Sequence, residues 1–324
     1  MPQLTFADQT LTCSDSQTVL DALLDAGIAV PFGCRQGVCQ SCMLRATEGE
    51  IPAEAQHGLS LVKQKQGYFL SCRCHPEQDM TISQMQPEHF FTSATVIDKQ
   101  LLNSEIVLIT LECSTKLDYF AGQFVNLRRP DDGLTRSYSI ANSRRAKHRL
   151  SFHIRKLPGG QFSSWVYEWL KPGDSLEISQ PTGESCYTPE QDKQQSLLLI
   201  GTGTGLAPLV GIIHEALEGD HAGDIHVYHG SHRPESLYWL DEMQKLANAH
   251  NHIHYTPCVS RAPASAPFSH GRAHDIALRN LPDLKGWRVY LCGHPDMVKS
   301  AKQQAFLQGA SLRDIHADPF LLQN

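Results

Sequence analysis

The stretch that decides the fold of the first part of the chain is GCRQGVCQSC, residues 33–42. It places Cys34, Cys39 and Cys42 within nine residues, and a further 29 residues separate Cys42 from Cys72. A C-x4-C-x2-C run followed by one distant cysteine is the spacing of a [2Fe–2S] site. Three thiolates from one tight loop converge on two irons, and the fourth closes the cage from another segment. We therefore predict that these four cysteines bind a [2Fe–2S] cluster.

The cysteines leave two alternatives open. A structural zinc site favours two C-x2-C pairs, and this region has one, Cys39 and Cys42. Cys74 lies two positions after Cys72 and is the alternative fourth ligand. The opening residues, MPQLTFADQT, have neither the basic nor the apolar region of a secretory signal, so a disulfide framework is not expected.

Length and composition indicate a globular protein of several domains. At roughly 100–200 residues per domain, 324 residues predict two or three domains. The apolar fraction of 41% argues against disorder, and the net charge of −6 argues against a nucleic-acid-binding protein. The most apolar stretch, residues 197–213, is interrupted by Gly201, Gly203, Gly205 and Pro208, so no membrane span is expected. A cytoplasmic protein, with a monomer as the default, is the resulting expectation.

The middle of the chain consists of short apolar runs followed by two polar motifs. RSYSIAN (136–142) is the first motif, and LSFHIRKLPGGQFSSWV (150–166) is the second, with a helix predicted over 161–170. Strand-like runs precede both motifs and suggest an antiparallel barrel. These runs are ATVIDKQ (94–100), EIVLITLEC (105–113) and QFVNLRR (123–129).

The last third contains three further motifs. QSLLLIGTGTGLAPLVGIIHEAL (195–217) predicts a buried strand, a glycine turn and an amphipathic helix. Small residues in such a turn let a nucleotide approach the backbone at a helix amino terminus. WRVYLCGHPDMV (287–298) predicts a later strand, and ADPF (317–320) stands near the end.

Taken in order, these motifs resemble the ferredoxin-fused flavoprotein reductases of the ferredoxin–NADP reductase superfamily. The resemblance covers the cysteine run and the helix predicted over 17–28, then R-x-Y-S, PGG, GTGTG and C-G-x-P. It implies a β-grasp [2Fe–2S] ferredoxin domain (1–86), an antiparallel β-barrel FAD domain (92–192) and a parallel-sheet α/β nucleotide-binding domain (193–324). The fold class is then multidomain α+β and α/β, with a linker over 84–92.

The resemblance also implies which residues hold the flavin. Arg136 makes a forked contact to the diphosphate, and the N–H groups around Gly159 and Gly160 meet phosphate at the positive end of a helix. Tyr138 lies against the isoalloxazine ring, and Ser139 lies near flavin N5. FAD is expected rather than FMN, because relatives with an N-terminal ferredoxin usually carry FAD. His153 and Arg155 line the polar edge of the flavin or, alternatively, form an ordinary exposed strand face. The expected set is Arg136, Ser137, Tyr138, Ser139, His153, Arg155, Gly159, Gly160 and Ser163.

For the nicotinamide nucleotide, the resemblance indicates the GTGTG turn and the C-G-x-P element. Cys292 then lies near the site of hydride transfer and, with Ser139, is an expected catalytic residue. NADH is the expected donor, because most ferredoxin-fused members use it. NADPH is the alternative, because Ser260 and Arg261 stand where NADPH-using relatives contact the 2′-phosphate. Phe320 is expected to approach the flavin. The nucleotide set is Gly203, Thr204, Gly205, Ser260, Arg261, Cys292 and Gly293.

Counting electrons then predicts the activity. NADH delivers two electrons as hydride, a [2Fe–2S] cluster takes one at a time, and a flavin can do both. The chain is predicted to be an NAD(P)H-dependent iron–sulfur flavoprotein oxidoreductase whose cluster donates to a terminal oxygenase or hydroxylase. The first alternative is the reductase of a deoxysugar pathway of the CDP-6-deoxyhexose type, which has the same module order. The second is a non-enzymatic electron carrier or redox sensor, against which the intact motifs argue.

Overall fold

The computed structural model describes residues 2–7, 9–14, 16–30, 32, 35, 37, 42–59, 61–84, 91–146, 148–261 and 267–320. The chain divides into two compact units, Met1–His89 and Phe90–Asn324. The boundary falls within the linker expected over 84–92. Residues 85–90 of that linker lie outside the described residues.

The described residues of the first unit form a five-stranded mixed sheet with helices α1 (Val19–Asp25) and α2 (Leu61–Lys65). The strands are β1 (Gln3–Phe6), β2 (Gln9–Thr12), β3 (Met43–Glu48), β4 (Tyr68–Leu70) and β5 (Met80–Gln84). The sheet order is β2-β1-β5-β3-β4, with β1 and β5 parallel and the other neighbours antiparallel. The helix expected over 17–28 is α1, and β1 and β2 form a hairpin at the start of the chain.

Helix α1 shows how the sequence builds this unit. Thr18 caps its amino end, because the Thr18 hydroxyl accepts a hydrogen bond from the Asp21 backbone N–H at 3.1 Å. Val19, Leu20 and Leu23 lie on one face at helical spacing and are fully buried. The core of the first unit therefore lies between α1 and the sheet.

The second unit begins with a six-stranded antiparallel sheet and helix α3 (Gln161–Glu168). The strands are β6 (Thr92–Leu101), β7 (Ile106–Cys113), β8 (Phe124–Arg128), β9 (Thr135–Ser139), β10 (Arg149–Arg155) and β11 (Ser175–Ile178). Their order is β10-β7-β6-β11-β8-β9. The two edge strands of this sheet, β9 and β10, approach each other after β9, where the Ala141 N–H donates to the Ser151 carbonyl at 2.8 Å. The sheet therefore closes into the predicted barrel around an apolar core.

A lysine from the barrel holds the carboxyl end of α3. Lys99 Nζ donates to the carbonyl oxygens of Tyr167 at 2.8 Å and Leu170 at 2.7 Å. Carbonyl groups at a helix end lack partners within the helix, and a cation there also complements the helix dipole. Burial lowers the pKa of Lys99.

The remainder of the second unit is a six-stranded parallel sheet flanked by helices. The strands are β12 (Leu197–Thr202), β13 (Ile225–Ser231), β14 (Ile253–Val259), β15 (Ser269–His270), β16 (Arg288–Gly293) and β17 (Ile315–Pro319). The order is β15-β14-β13-β12-β16-β17. The helices are α4 (Leu206–Glu218), α5 (Leu240–Ala249), α6 (Ala273–Asn280) and α7 (Pro295–Leu307). Strand β12 is buried along its leucine-rich run, as a central parallel strand requires. The predicted fold class is confirmed.

The barrel and the parallel sheet pack directly on each other. The backbone N–H and Nε of Arg144 donate to the buried carboxylate of Glu215 in α4, at 2.9 and 2.6 Å. Gly211 of the same helix lies so close to the barrel that an added Cβ would stand 3.0 Å from the Ile140 carbonyl oxygen. Helix α4 therefore rests on the segment that follows R-x-Y-S.

Candidate functional site

The iron–sulfur site lies in the first unit, before β3 and after β4. The Sγ atoms of Cys42 and Cys72 are 3.2 Å apart, and both residues are buried. A disulfide bond needs about 2.05 Å, so the two cysteines are not bonded to each other, and their sulfur atoms lie close enough to bind one metal centre. The Ser71 hydroxyl donates to the Cys42 carbonyl at 2.8 Å and ties the two segments together. Cys34 and Cys39 lie outside the described residues.

The alternative ligand, Cys74, has different surroundings. It is fully buried in the apolar core that also contains Cys13 and Val19. Its carbonyl accepts a hydrogen bond from the Val19 N–H at 2.8 Å. The thiol beside Cys42 is that of Cys72, so the geometry favours Cys72 as the fourth ligand.

The described part of the cysteine loop has a left-handed backbone. Gly37 has a φ of +79° and Arg35 a φ of +52°. A Cβ at Gly37 would stand 3.1 Å from Cγ of Arg73, so the loop is closely packed there. The Arg35 guanidinium pairs with Asp21 of α1 at 3.1 Å. Paired thiols beside a tight, glycine-dependent loop fit an iron–sulfur cluster.

The R-x-Y-S motif forms β9. The Tyr138 ring packs on Phe162 of α3, with ring centroids 5.6 Å apart. The Ser137 hydroxyl donates to a side chain of neighbouring strand β8. Arg136 uses one guanidinium N–H on the Thr135 carbonyl at 2.8 Å, and a guanidinium carries five such donors. The strand therefore offers an aromatic face and a cation beside α3.

The PGG turn, residues 158–160, uses its two glycines differently. Gly159 has a φ of +71°, and an added Cβ would have no atom of the described residues within 4 Å. A Cβ at Gly160 would stand 2.5 Å from the Ser163 hydroxyl oxygen. That hydroxyl accepts from the Leu157 N–H at 3.1 Å and donates to the Gly160 carbonyl at 3.4 Å. The structure thus shows Ser163 holding the turn, while the open side of Gly159 at a helix start fits a diphosphate.

His153 and Arg155 have neighbours other than those expected at a flavin edge. His153 is 3% exposed, and its Nδ1 lies 2.9 Å from the Tyr238 hydroxyl of the nucleotide-binding part. The ring stands edge-on to Trp239, and burial lowers the pKa of His153 to about 3. Arg155 pairs with Glu105 at 2.8 Å on the surface. The segment before α5 thus encloses His153, and Arg155 lies on an exposed strand face; their expected place at the polar edge of the flavin stays a prediction.

The GTGTG turn, residues 201–205, joins β12 to α4. Gly203 has a φ of +53°, and a Cβ there would meet none of the described atoms within 4 Å. A Cβ at Gly205 would stand 2.2 Å from the Cys292 carbonyl oxygen in β16. Thr204, between them, is partly buried. One glycine thus leaves an open face at a helix start, which fits a nucleotide, and the other lets the turn lie against the sheet.

Ser260 and Arg261 follow β14 at the carboxyl edge of the sheet. The Ser260 hydroxyl lies 3.1 Å from Nδ1 of His232, and Arg261 is exposed. Ligands of open α/β sheets bind outside this edge. An exposed arginine beside a serine suits a 2′-phosphate, so NADPH stays an alternative to NADH.

The barrel and the parallel sheet meet at Ser139, Asp318 and Cys292. The Ser139 hydroxyl donates to Oδ2 of Asp318 across 3.4 Å, and Asp318 is the register partner of Cys292. Burial raises the pKa of Asp318 to about 6, and it raises the pKa of the fully buried Cys292 thiol. Ser139 and Cys292 are expected from the sequence, whereas Asp318 is not. The sequence signal that could have identified Asp318 is its place in ADPF, the last motif of the chain.

The other two predicted residues, Gly293 and Phe320, lie at the carboxyl ends of β16 and β17. Gly293 has a φ of +118°, and a Cβ there would stand 2.5 Å from the Thr202 hydroxyl oxygen. The Phe320 N–H donates to the Gly293 carbonyl at 2.8 Å. The ADPF segment is therefore held at the same edge of the sheet as the GTGTG turn. A contact of the Phe320 ring with the flavin stays a prediction.

Three protein families match successive parts of the chain. The 2Fe-2S iron-sulfur cluster binding domain matches residues 5–77. The oxidoreductase FAD-binding domain matches 93–187, and the oxidoreductase NAD-binding domain matches 199–303. Their order is the predicted one.

Known proteins resemble the chain over nearly its whole length. The reductase subunit of an aromatic O-demethylase from Amycolatopsis is 31% identical over 95% of both chains. Reductase component 1 of a terephthalate 1,2-dioxygenase from Comamonas is 30% identical over 97% of this chain and 95% of its own. The crystal structure of an Amycolatopsis cytochrome P450 reductase is similar with a TM-score of 0.69, 29% identity and 99% coverage of both chains.

Fold and site together define an iron–sulfur flavoprotein oxidoreductase that uses NAD(P)H. The chain belongs to the ferredoxin-fused reductases of the ferredoxin–NADP reductase superfamily. Its cofactors are a [2Fe–2S] cluster, FAD and NAD(H), which confirms the prediction. Matches to both nucleotide-binding domains speak against a non-enzymatic carrier. Among the described residues, none of the helices is long and apolar enough to cross a membrane.

Proposed function

We propose that this protein takes hydride from NADH and delivers electrons one at a time to a terminal oxygenase or hydroxylase. The observation that carries the proposal is the junction of Ser139 with Asp318 and Cys292. There, the barrel strand carrying R-x-Y-S meets the last two parallel strands. The relatives named as reductase parts of demethylase and dioxygenase systems support an oxygenase as the acceptor.

The chain's own residues hold and orient the two nucleotides. Bound FAD supplies the conversion between two-electron and one-electron transfer. Arg136 and the backbone at Gly159 bind its diphosphate, and Tyr138 lies against its ring system. The open face of Gly203 receives the nicotinamide nucleotide at the start of α4.

The hydrogen bond between Ser139 and Asp318 would hold a proton beside the reacting rings of the bound nucleotides. With a pKa of about 6, the Asp318 carboxyl changes its protonation state in mildly acidic solution. The Ser139 hydroxyl, 3.4 Å away, is its hydrogen-bond partner. The raised pKa of Cys292 keeps its thiol neutral, so this residue forms an uncharged wall of the site.

Anaerobic titration of the purified protein with NADH tests the activity. We expect loss of flavin absorbance and the EPR signal of a reduced cluster. If NADH reduces neither centre in protein that contains flavin and iron, the proposal is wrong. A parallel titration with NADPH, repeated on Arg261→Ala, compares the two donors. If the wild type prefers NADPH and Arg261→Ala abolishes that preference, NADPH rather than NADH is the donor.

The cluster ligands have their own test. We expect Cys72→Ser to lose the cluster's visible absorbance, because one of its four thiolates is removed. Cys74→Ser should keep that absorbance, because Cys74 packs against α1. An intact cluster in the first variant would contradict the assignment of Cys72.

The acceptor is tested by supplying the reduced protein with purified oxygenase components. A Rieske oxygenase, a diiron hydroxylase and a cytochrome P450 cover the main iron centres, and a deoxysugar dehydratase is the competing acceptor. Substrate hydroxylation or demethylation supports the proposal. Turnover with the dehydratase alone would establish the deoxysugar alternative.

A further inference from the structure

Helix α4 has one apolar face packed on the parallel sheet and another face that rests on the barrel. Leu209, Ile213 and Ala216 recur at helical spacing and are fully buried in the core of the parallel sheet. The helix is therefore a fixed part of that layer. Gly211 and Glu215, about one turn apart, contact the barrel. Through α4, the position of the whole parallel sheet depends on these barrel contacts.

Both oxygens of the Glu215 carboxylate accept hydrogen bonds from one residue of the barrel. The Arg144 backbone N–H donates to Oε2 at 2.9 Å, and Arg144 Nε donates to Oε1 at 2.6 Å. The Glu215 side chain is 7% exposed, so its charge is compensated inside the protein. Hydrogen bonds to an ionised acceptor are about twice as strong as neutral ones. We call this two-point contact the Arg144–Glu215 clamp.

The segment that carries Arg144 is itself held by the barrel. The Asn142 side chain accepts a hydrogen bond from the Ser151 N–H at 2.7 Å and donates one to the Tyr119 hydroxyl at 2.9 Å. Ser139, the last residue of β9, precedes Arg144 in the same short stretch of chain. The clamp therefore joins α4 to the part of the barrel that continues directly from the proposed flavin site.

The amino end of α4 follows the GTGTG turn, to which the proposed function assigns the nicotinamide nucleotide. At about 1.5 Å per residue, Gly205 lies about 9 Å along the helix axis from Gly211, and Glu215 lies about 6 Å from Gly211 in the opposite direction. If the clamp opens, the layer that carries α4 can rock about the close contact at Gly211. A shift at Glu215 then becomes a shift about 1.5-fold larger at the turn.

We propose that Glu215 is a positioning residue for the reaction between NADH and the flavin, because its clamp on Arg144 fixes the parallel sheet against the barrel. The inference rests on the proposed function and adds a residue outside both proposed nucleotide sites. In the reaction, the C4–H bond of NADH breaks, the hydrogen and both bonding electrons pass to N5 of the flavin, and NAD⁺ is left. Reacting atoms must lie within about 3–3.5 Å, and a misplacement of about 1 Å can cost about 100-fold in rate. Loss of the clamp therefore slows the reaction without removing a group that binds either nucleotide.

Anaerobic stopped-flow reduction of the full-length holoprotein by NADH tests the proposal in Glu215→Gln. Glutamine keeps the shape of the side chain, but its NH₂ group would face one of the two Arg144 donors. We expect the limiting rate of flavin reduction at saturating NADH to fall about 10-fold, with unchanged FAD content and NADH dissociation constant. Deuterium at C4 of NADH should slow the variant more than the wild type, since bond breaking then limits the rate more strongly. The Arg144 side chain is 42% exposed, so water can solvate it in the variant, and the fold should be retained.

Two further variants separate the clamp from a general loss of an ion pair. Arg144→Lys keeps the backbone N–H and the positive charge, so its loss of rate should be smaller than that of Glu215→Gln. The double variant should be no slower than Glu215→Gln alone, because both substitutions act on one contact. Glu177→Gln is the matched control, since Glu177 accepts from Arg128 Nε at 2.7 Å within the barrel sheet. This control should keep the wild-type rate.

Hydrogen exchange of the holoprotein without NADH gives a readout that does not depend on turnover. Peptides that contain Arg144 should exchange faster in Glu215→Gln, because the Arg144 N–H loses its charged acceptor. Faster exchange with an unchanged limiting rate would show that the clamp only stabilises the fold, and would overturn the proposal. An equal loss of rate in Glu177→Gln would overturn it too. A wild type that NADH does not reduce would refute the proposed function instead, so the two proposals fail separately.

Discussion

The two glycine turns of the second unit have similar sequences and unequal surroundings. In each, one glycine has a positive φ and an open side: Gly159 in the PGG turn and Gly203 in the GTGTG turn. In each, another glycine is tightly packed. The nearest neighbours of Gly160 are the hydroxyl of Ser163 in the first turn of α3 and the adjoining residue Leu157, both close along the chain, whereas the neighbour of Gly205 is the backbone of β16.

The difference shows what fixes each turn. A hydroxyl can rotate away from an added methyl group, so the PGG turn is set by local contacts. A central strand backbone cannot move without disturbing its sheet, so the GTGTG turn is set by tertiary packing. All four tryptophans follow residue 90, so tryptophan fluorescence during denaturant unfolding reports on the second unit and can measure this difference.

The largest effect is expected for Gly205→Ala. Its Cβ would stand 2.2 Å from the Cys292 carbonyl oxygen and 2.6 Å from the carbonyl carbon. Overpacking of this kind costs about 3 kcal/mol of unfolding free energy, and displacement of the turn should also weaken NADH binding. The measurement is the denaturation midpoint and the NADH affinity. If Gly205→Ala keeps the wild-type midpoint and NADH affinity, packing against β16 does not constrain the GTGTG turn, and the comparison fails.

The next effect concerns Asp318, whose β17 strand pairs with the strand that supports Gly205. Its folded pKa, about 6, lies above the ordinary value of 3.8, so folding favours the protonated carboxyl. The stabilisation of the folded protein by this protonated carboxyl is complete below about pH 3.8 and is lost as the pH rises through 6. Asp318→Asn imitates the protonated acid. Relative to this variant, the wild type should lose about 2 kcal/mol of unfolding free energy between pH 4 and pH 7. Parallel pH profiles of the two proteins would contradict the shift, and Ser139→Ala serves as the control for loss of the hydrogen bond alone.

Gly159→Ala and Gly203→Ala should have smaller and similar effects. Both positions have open space, so the cost is that of a left-handed backbone at a residue with a Cβ, about 1–2 kcal/mol. We expect the first variant to weaken flavin binding and the second to weaken NADH binding. Asparagine at either position should cost less than alanine, because asparagine tolerates this conformation. A much larger loss in one of the pair would mean that its open side is closed in solution.

The smallest effect is expected for Gly160→Ala, about 1 kcal/mol, because moving the Ser163 hydroxyl away from the new methyl group relieves the closest contact but gives up its hydrogen bond with the Leu157 N–H. The double variant with Ser163→Ala removes that contact. If the turn is locally determined, the second substitution should cost less in the presence of the first than alone. Strict additivity of the two unfolding free energies would argue against a local constraint.

The fold and the cluster site were accessible from the sequence because their signals are local. Cysteine spacing, the glycine turns and the apolar strand runs depend on neighbours along the chain. Asp318 was missed because its position beside Cys292 depends on the pairing of β16 with β17, which cannot be predicted from a short motif. The surroundings of His153 could not be predicted from the sequence, because its partner, Tyr238, lies 85 positions away and belongs to the other half of the unit.

Lys99 also affects the opposite end of α3. Its ammonium group covers the negative end of α3, while the first turn of that helix carries no acidic side chain. The lysine cation at the carboxyl end and an anion bound at the amino end would then both interact favourably with the dipole of α3. A phosphate bound beside Gly159, as proposed, would then be favoured by Lys99, whose hydrogen bonds within the described structure go to the carbonyl groups of Tyr167 and Leu170 at the far end of the helix.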